Sequence, residues 1–182
     1  MNAPQLWLLT GQRGAGKTAF CRALAEHARS QGWDAAGLFS PAVFEGELKT
    51  GILVEDVRSG ATRPLASATP HAAFDLQLGD WFFDRSSLAW GNRILESSLA
   101  CDLLFVDELG PLELTRQMGW QSALNILRNN QYRLALVVIR PELQDVAYNT
   151  FGFFKTIVID RAWPTEQWVQ IYWPEINAGV RQ

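Results

Sequence analysis

Apolar positions in this chain fall into short unbroken runs, separated by longer stretches with helical spacing. Leu6-Trp7-Leu8-Leu9, Leu103-Leu104-Phe105-Val106 and Leu134 to Ile139 carry no alternating polar positions. Strands buried on both faces require that pattern. Ala36-Gly37-Leu38-Phe39-Ser40, stopped by Pro41, and Thr156-Ile157-Val158-Ile159 read as two further strands. Between the runs, Ala19, Phe20, Ala23, Leu24 and Ala28 recur at helical spacing within residues 17–31, and Gly32 closes that helix. Leu88, Ala89, Ile94 and Leu95 predict a helix over 86–99, with Ser86 as its N-cap. Trp120, Ala123, Leu124 and Leu127 predict another over 118–129, and shorter helices are expected at 143–148 and 165–171. Apolar strands alternating with helices predict an α/β fold, a mostly parallel central sheet with helices on both faces.

One region breaks this rhythm. Ile52, Leu53, Val54 and Val57 stand among Gly46, Gly51 and Gly60, which predicts a small β-hairpin insertion over 44–65 with Arg58-Ser59-Gly60-Ala61 as its turn. Residues 66–79 have weak periodicity and read as a loop, followed by a short strand at Trp81-Phe82-Phe83. No repeat or low-complexity linker divides the chain. Its 182 residues are expected to form one domain with a substantial core.

Composition narrows the function classes. Apolar residues make up 48% and charged residues 19%, which excludes a disordered chain. The net charge is −3 and no basic block stands out, so there is no electrostatic argument for nucleic-acid binding. Cys21 and Cys101 are too few for a disulfide framework and read as free thiols in a reducing compartment. No leader pattern and no membrane-length apolar stretch is visible, so a cytoplasmic location is expected. Tryptophan occurs eight times. Trp163, Trp168 and Trp173 suit either a C-terminal segment pinned by aromatic packing or a surface for a protein partner.

The chemistry is carried first by Gly11-Gln12-Arg13-Gly14-Ala15-Gly16-Lys17-Thr18, a complete G-x-x-x-x-G-K-[ST] phosphate loop between a strand and a helix. Its glycines let successive N–H groups turn toward one anion. Lys17 brings an ammonium to the β- and γ-phosphates, Thr18 offers a hydroxyl to Mg²⁺, and the helix that starts at Lys17 points its positive end at the same charge, so Gly11 to Ala19 are the candidate nucleotide-binding residues. The second signal is Leu103-Leu104-Phe105-Val106-Asp107-Glu108, an apolar strand ending in acids. Strand C-termini of a parallel sheet share one edge, so Asp107 reaches the magnesium held by Thr18. Glu108 beside it is the candidate base for an attacking water. Positive charge for the developing oxygens has candidates in Arg13 inside the loop, Arg116 after the acidic turn and Arg140 directly after a strand. Arg140 has the best geometric case. No N-K-x-D guanine-reading motif is present.

Asp107-Glu108-Leu109-Gly110-Pro111-Leu112-Glu113-Leu114 resembles the D-E-[IL]-G-x-[ML]-E signature of the small P-loop nucleoside-triphosphatases of the cancer-related type. The early phosphate loop, the chain length and the glycine-punctuated β segment agree with that resemblance over most of residues 5–160. It implies a Mg²⁺-dependent hydrolase of ATP, GTP and other triphosphates with loose base choice. Gly11 to Thr18 would bind phosphates, Asp107 would serve magnesium and Glu108 would activate water; Glu113 matches the second acid of the signature. Two positions depart from the family pattern: Phe44 stands where an arginine is expected and Ile52 replaces a phenylalanine, whereas Lys49 keeps a basic residue. A small-molecule or nucleotide kinase and a slow nucleotide-dependent switch use the same phosphate loop. The kinase reading lacks the clustered arginines of a lid after Arg116.

Overall fold

The computed structural model describes residues 3–181. Its first half runs β1 (Gln5–Thr10), α1 (Lys17–Ser30), β2 (Ala35–Phe39), β3 (Ala42–Glu45), β4 (Leu48–Asp56), β5 (Thr62–Ser67), β6 (Leu76–Leu78) and β7 (Trp81–Phe83). Next come α2 (Arg85–Ser97), β8 (Cys101–Leu109), α3 (Pro111–Leu114) and α4 (Gln121–Arg128). β9 (Tyr132–Ile139), α5 (Gln144–Phe151), β10 (Lys155–Val158) and α6 (Thr165–Arg181) complete the chain.

All ten strands join one sheet, ordered β10-β1-β9-β8-β2-β4-β5-β7-β6, with β3 beside β4. The strands from β10 to β2 pair in parallel, as their unbroken apolar runs predict. Alternate residues of each central strand enter opposite cores. Leu6, Leu8, Leu104, Val106, Ala135 and Val137 face the cluster closed by Leu95 of α2, Ala123 and Leu127 of α4 and Ala147 of α5. Trp7, Leu9, Leu103, Phe105, Leu136 and Val138 face the other, closed by Phe20, Leu24 and Ala28 of α1 and by Val169 and Ile176 of α6. Among the described residues no helix is long and apolar enough to cross a membrane.

The β segment after β2 is larger than a small hairpin over 44–65. β4 pairs antiparallel with β2 through Leu38↔Asp56 and Phe39↔Glu55, so it extends the main sheet. The parallel strands leave the outer side of β2 without a partner, and β4 satisfies those backbone groups. β5, β7 and β6 continue outward in antiparallel pairs. β6 lies inside the segment read as loop; three residues are too few to print a periodicity.

Other boundaries move for local reasons. The helix expected from 118 begins at Gln121, because Met118 and Gly119 are spent in a turn whose Met118 N–H donates to Leu112 O at 2.9 Å. The last helix does not stop at 171 but runs through Pro174 to Arg181. Proline removes one backbone donor, and burial of Ile176 together with the contact of Trp173 on Trp33 and His27 outweighs that loss.

The N-cap of α2 is Asp84, not Ser86. Its carboxylate accepts from the Ser86 N–H at 2.8 Å and the Ser87 N–H at 3.2 Å, and from both hydroxyls. Burial pushes the Asp84 carboxyl up, but the bonds from Ser87 and Ser86 outweigh it and hold the group below its ordinary 3.8. A lowered folded-state value means the stabilisation is present above 3.8 and lost as pH falls through the folded value. Asp84→Ala is expected to cost about 1 kcal/mol at neutral pH, with the gap to wild type shrinking in acid. Chemical denaturation of both proteins at pH 7 and at pH 3 checks this.

Candidate active site

β1 delivers the chain to the glycine loop at the C-terminal edge of the parallel strands. Gly11, Gly14 and Gly16 have φ of 150°, 75° and 95°, a region that favours glycine. Lys17 folds back over the loop, its Nζ donating to Gly11 O at 2.7 Å and Gln12 O at 3.0 Å. Gln12, Arg13 and Ala19 are exposed, whereas Ala15, Gly16 and Thr18 are half-buried. The first turn of α1 holds no acid, so its positive end is left for an anion.

Asp107 stands near the end of β8, where Val138 of β9 pairs with both Leu9 of β1 and Asp107. It is 3% exposed. Its Oδ2 accepts from Ser40 N–H at 3.2 Å, and the Thr18 hydroxyl interacts with the same carboxyl. Burial pushes Asp107 up to about 6; the Ser40 N–H, the Thr18 hydroxyl and Lys17 pull it down, and Glu108 adds to the rise. Glu108 drops out of the β8–β9 pairing, because the register shifts between Asp107 and Leu109. Its carboxylate pairs with the guanidinium of Arg140, which follows β9. The expected set of Lys17, Thr18, Asp107, Glu108 and Arg140 therefore shares one edge, as strand-end placement requires.

Arg13 and Arg116 have different surroundings. Arg13 is exposed in the phosphate loop, near enough for its charge to help lower the Lys49 ammonium pKa. Arg116 is exposed in the turn after α3, with no side-chain bond to the phosphate loop among the described residues.

Lys49, noted in the sequence only for its charge, belongs to this neighbourhood. Phe39 of β2 pairs with Glu55, so residues 48–52 of β4 run past the end of β2 and over the sheet edge. There Lys49 Nζ stands 5.0 Å from the centroid of the Trp81 ring. Burial lowers its ammonium below the ordinary range; Glu108 and Asp107 oppose this, and Arg13 and Arg140 add to it. Arg161 was overlooked altogether. Its Nε donates to Gly14 O at 2.7 Å. The strand-end rule that singled out Arg140 also covers Arg161, which follows β10.

Glu113 braces the turn after the two acids. It is buried and accepts the Gly110 N–H at 2.8 Å and the Trp120 N–H at 3.0 Å. Burial raises its pKa, and those two N–H groups act against the rise. A side chain at position 119 would collide with this carboxylate.

The donor set suits magnesium. Among the described residues no group of three or more His, Cys, Asp and Glu side chains forms a protein cage. Mg²⁺ takes oxygen ligands and keeps waters and substrate phosphates, so one hydroxyl and one buried carboxylate suffice on the protein side. Thr18 and Asp107 are such a pair.

Of the three C-terminal tryptophans, Trp168 and Trp173 pack against the α1 core. Trp163 stays 50% exposed.

A glycine loop after the first strand, a β10-β1-β9-β8-β2 parallel order and an acid-tipped β8 define a P-loop nucleoside-triphosphatase fold. Residues 7–158 match the family described as NTPase, and the chain belongs to that family. Among its relatives, the nucleoside-triphosphatase THEP1 of Ignicoccus hospitalis is 29% identical over 69% of this chain and 72% of its own. THEP1 of Methanothermobacter thermautotrophicus is 27% identical over 76% and 79% respectively. The solved structure of THEP1 from Aquifex aeolicus superposes with a TM-score of 0.66 over 98% of this chain and 100% of that one, at 15% identity. A human cancer-related nucleoside triphosphatase gives 0.65 over 97% of each chain, at 21% identity. Hydrolysis of nucleoside triphosphates is the activity of the family.

Glu113→Gln keeps the shape of the side chain but replaces one of its two acceptor oxygens with a donor, so one buried N–H loses its partner. A loss of about 1–3 kcal/mol in unfolding free energy is expected, and urea denaturation measures it.

Proposed function

We propose that this chain hydrolyses Mg²⁺-nucleoside triphosphates to diphosphate and phosphate at the loop edge, with Glu108 as the water base. The observation that carries the reading is the Glu108–Arg140 pair standing beside Asp107 at the end of one strand. Gly11 to Ala19 bind the phosphates through backbone N–H groups and the positive end of α1. Lys17 exchanges its two carbonyl partners for phosphate oxygens, a stronger, charge-assisted contact. Thr18 and Asp107 would hold magnesium, which would supply positive charge against the triphosphate.

The Glu108 carboxylate takes a proton from water as the water oxygen bonds to the γ-phosphorus. The bond from that phosphorus to the β-bridging oxygen breaks, and diphosphate leaves with the electron pair. Arg140 fixes the carboxylate and places a guanidinium near the developing charge. Half-buried Lys49, its ammonium pKa lowered by burial, is a second cation for the same edge. Nothing among the described residues of this arrangement requires one particular base, which supports acceptance of several nucleotides.

Phosphate release from ATP, GTP, CTP and UTP tests the reading. Glu108→Gln is expected to lower kcat by about 10²–10⁴-fold at unchanged nucleotide affinity, and Lys17→Ala to lose binding. Arg140→Ala lowers kcat more than it changes KM, and chelation of magnesium stops turnover. Full activity in Glu108→Gln would remove the assigned base.

A further inference from the structure

The segment between β10 and α6 is tied to the end of β1 and to the phosphate loop. Ile159 N–H donates to Thr10 O at 3.0 Å, so the chain leaves the sheet beside the end of β1. Asp160 accepts the Ala162 N–H at 2.9 Å, which tightens the turn. Arg161 Nε donates to Gly14 O at 2.7 Å. A Cβ built on Gly14 would lie 2.5 Å from the same guanidinium, which shows how closely Arg161 lies over the loop. The φ of 75° is what favours glycine at position 14.

Trp163 follows two residues on, within about 7 Å of chain from Arg161. One face of its ring stacks on Trp168, with centroids 5.5 Å apart and planes at 28°. Trp168 stacks in turn on Tyr172 at 6.1 Å and 10°, and Tyr172 meets Phe20 of α1 edge-on at 6.3 Å. The row of rings is thus anchored on the helix that begins at Lys17, and its outer member is 50% exposed. A rigid indole, backed on one side and wet on the other, is what a stacking platform needs. A nucleoside sets its base one ribose away from its α-phosphate, the same scale as the step from Arg161 to Trp163.

We propose that the 160–163 segment is the nucleoside-side wall of the site, where Arg161 positions the phosphate loop through Gly14 and Trp163 stacks on the base. The inference rests on the triphosphate reading above and adds how the nucleoside is held. Stacking accepts every base because each has a π-face, and purines offer more of it than pyrimidines. Edge-on hydrogen bonding would instead have selected one base.

Calorimetric titration of the full chain in magnesium tests the wall, using the β,γ-imido analogues of ATP, GTP and UTP beside inorganic tripolyphosphate. Trp163→Ala is expected to weaken the three nucleotide analogues by about five- to a hundred-fold, the purines most, and to leave tripolyphosphate unchanged. Trp163→Phe recovers most of the loss, and Trp163→Leu, apolar but without a π-face, does not. Arg161→Ala weakens nucleotides and tripolyphosphate by the same factor, because the bond from Nε to Gly14 O is lost in both cases. An equal loss of tripolyphosphate in Trp163→Ala, or no loss of nucleotide, overturns the wall. Lys17→Ala separates the two levels. If it still binds tripolyphosphate as tightly as wild type, the phosphate-site reading itself fails.

Discussion

The parallel pairing of β1 and β8 on either side of β9 is the constraint from which the site follows. Val138 pairs with Leu9 on one side and with Asp107 on the other. With strands about 4.8 Å apart, the loop-bearing strand and the acid-bearing strand lie roughly 10 Å from each other at the same level. That register is hard to slip. A shift of one residue would exchange the two faces of a strand, and here both faces are packed, Leu8 and Val106 into one core and Leu9 and Phe105 into the other. The energy that fixes the edge is therefore hydrophobic and distributed, while the chemistry on it rests on a few polar atoms.

Burial makes that edge reactive. Asp107 sits so deep that its carboxyl is lifted to about 6, even with Ser40, Thr18 and Lys17 pulling it down. Such a group gains more than an exposed carboxylate from a nearby cation. Glu108, one residue on, escapes the ladder and meets Arg140 instead. Two adjacent acids thus acquire different environments from a single irregularity in β8. Glu113 then holds the turn behind them by accepting two backbone N–H groups, which gives the second acid of the signature a bracing place rather than one facing the phosphates.

The antiparallel half of the sheet contributes reach. β4 leaves the end of β2 and carries Lys49 over the edge, backed by the ring of Trp81 from β7. Salt bridges tie this half to the rest: Arg22 of α1 pairs with Glu55, and Arg58 with Asp34 just before β2. The exposed share of these pairs limits what each adds. Lys49, farther along the same strand as Glu55, lies in the field of Asp107 and Glu108.

The sequence by itself determined the parallel core, the phosphate loop and the Asp107-Glu108 tip, because each is written locally. Continuous apolar runs specify strands buried on both faces, the glycines specify backbone angles, and acids after an apolar run specify a strand end. It also singled out Arg140 through the strand-end rule. Local pattern could not choose between Asp84 and Ser86 as the cap of α2, nor carry a helix through Pro174, since both depend on what packs opposite. It could not show that the segment over 44–65 joins the main sheet, because pairing with β2 is a contact between distant residues. Arg161 on Gly14, Lys49 on Trp81 and the free face of Trp163 were likewise decided only by the tertiary structure. A side chain's partner across the fold is set by where whole strands and helices come to rest, and residue spacing does not record that.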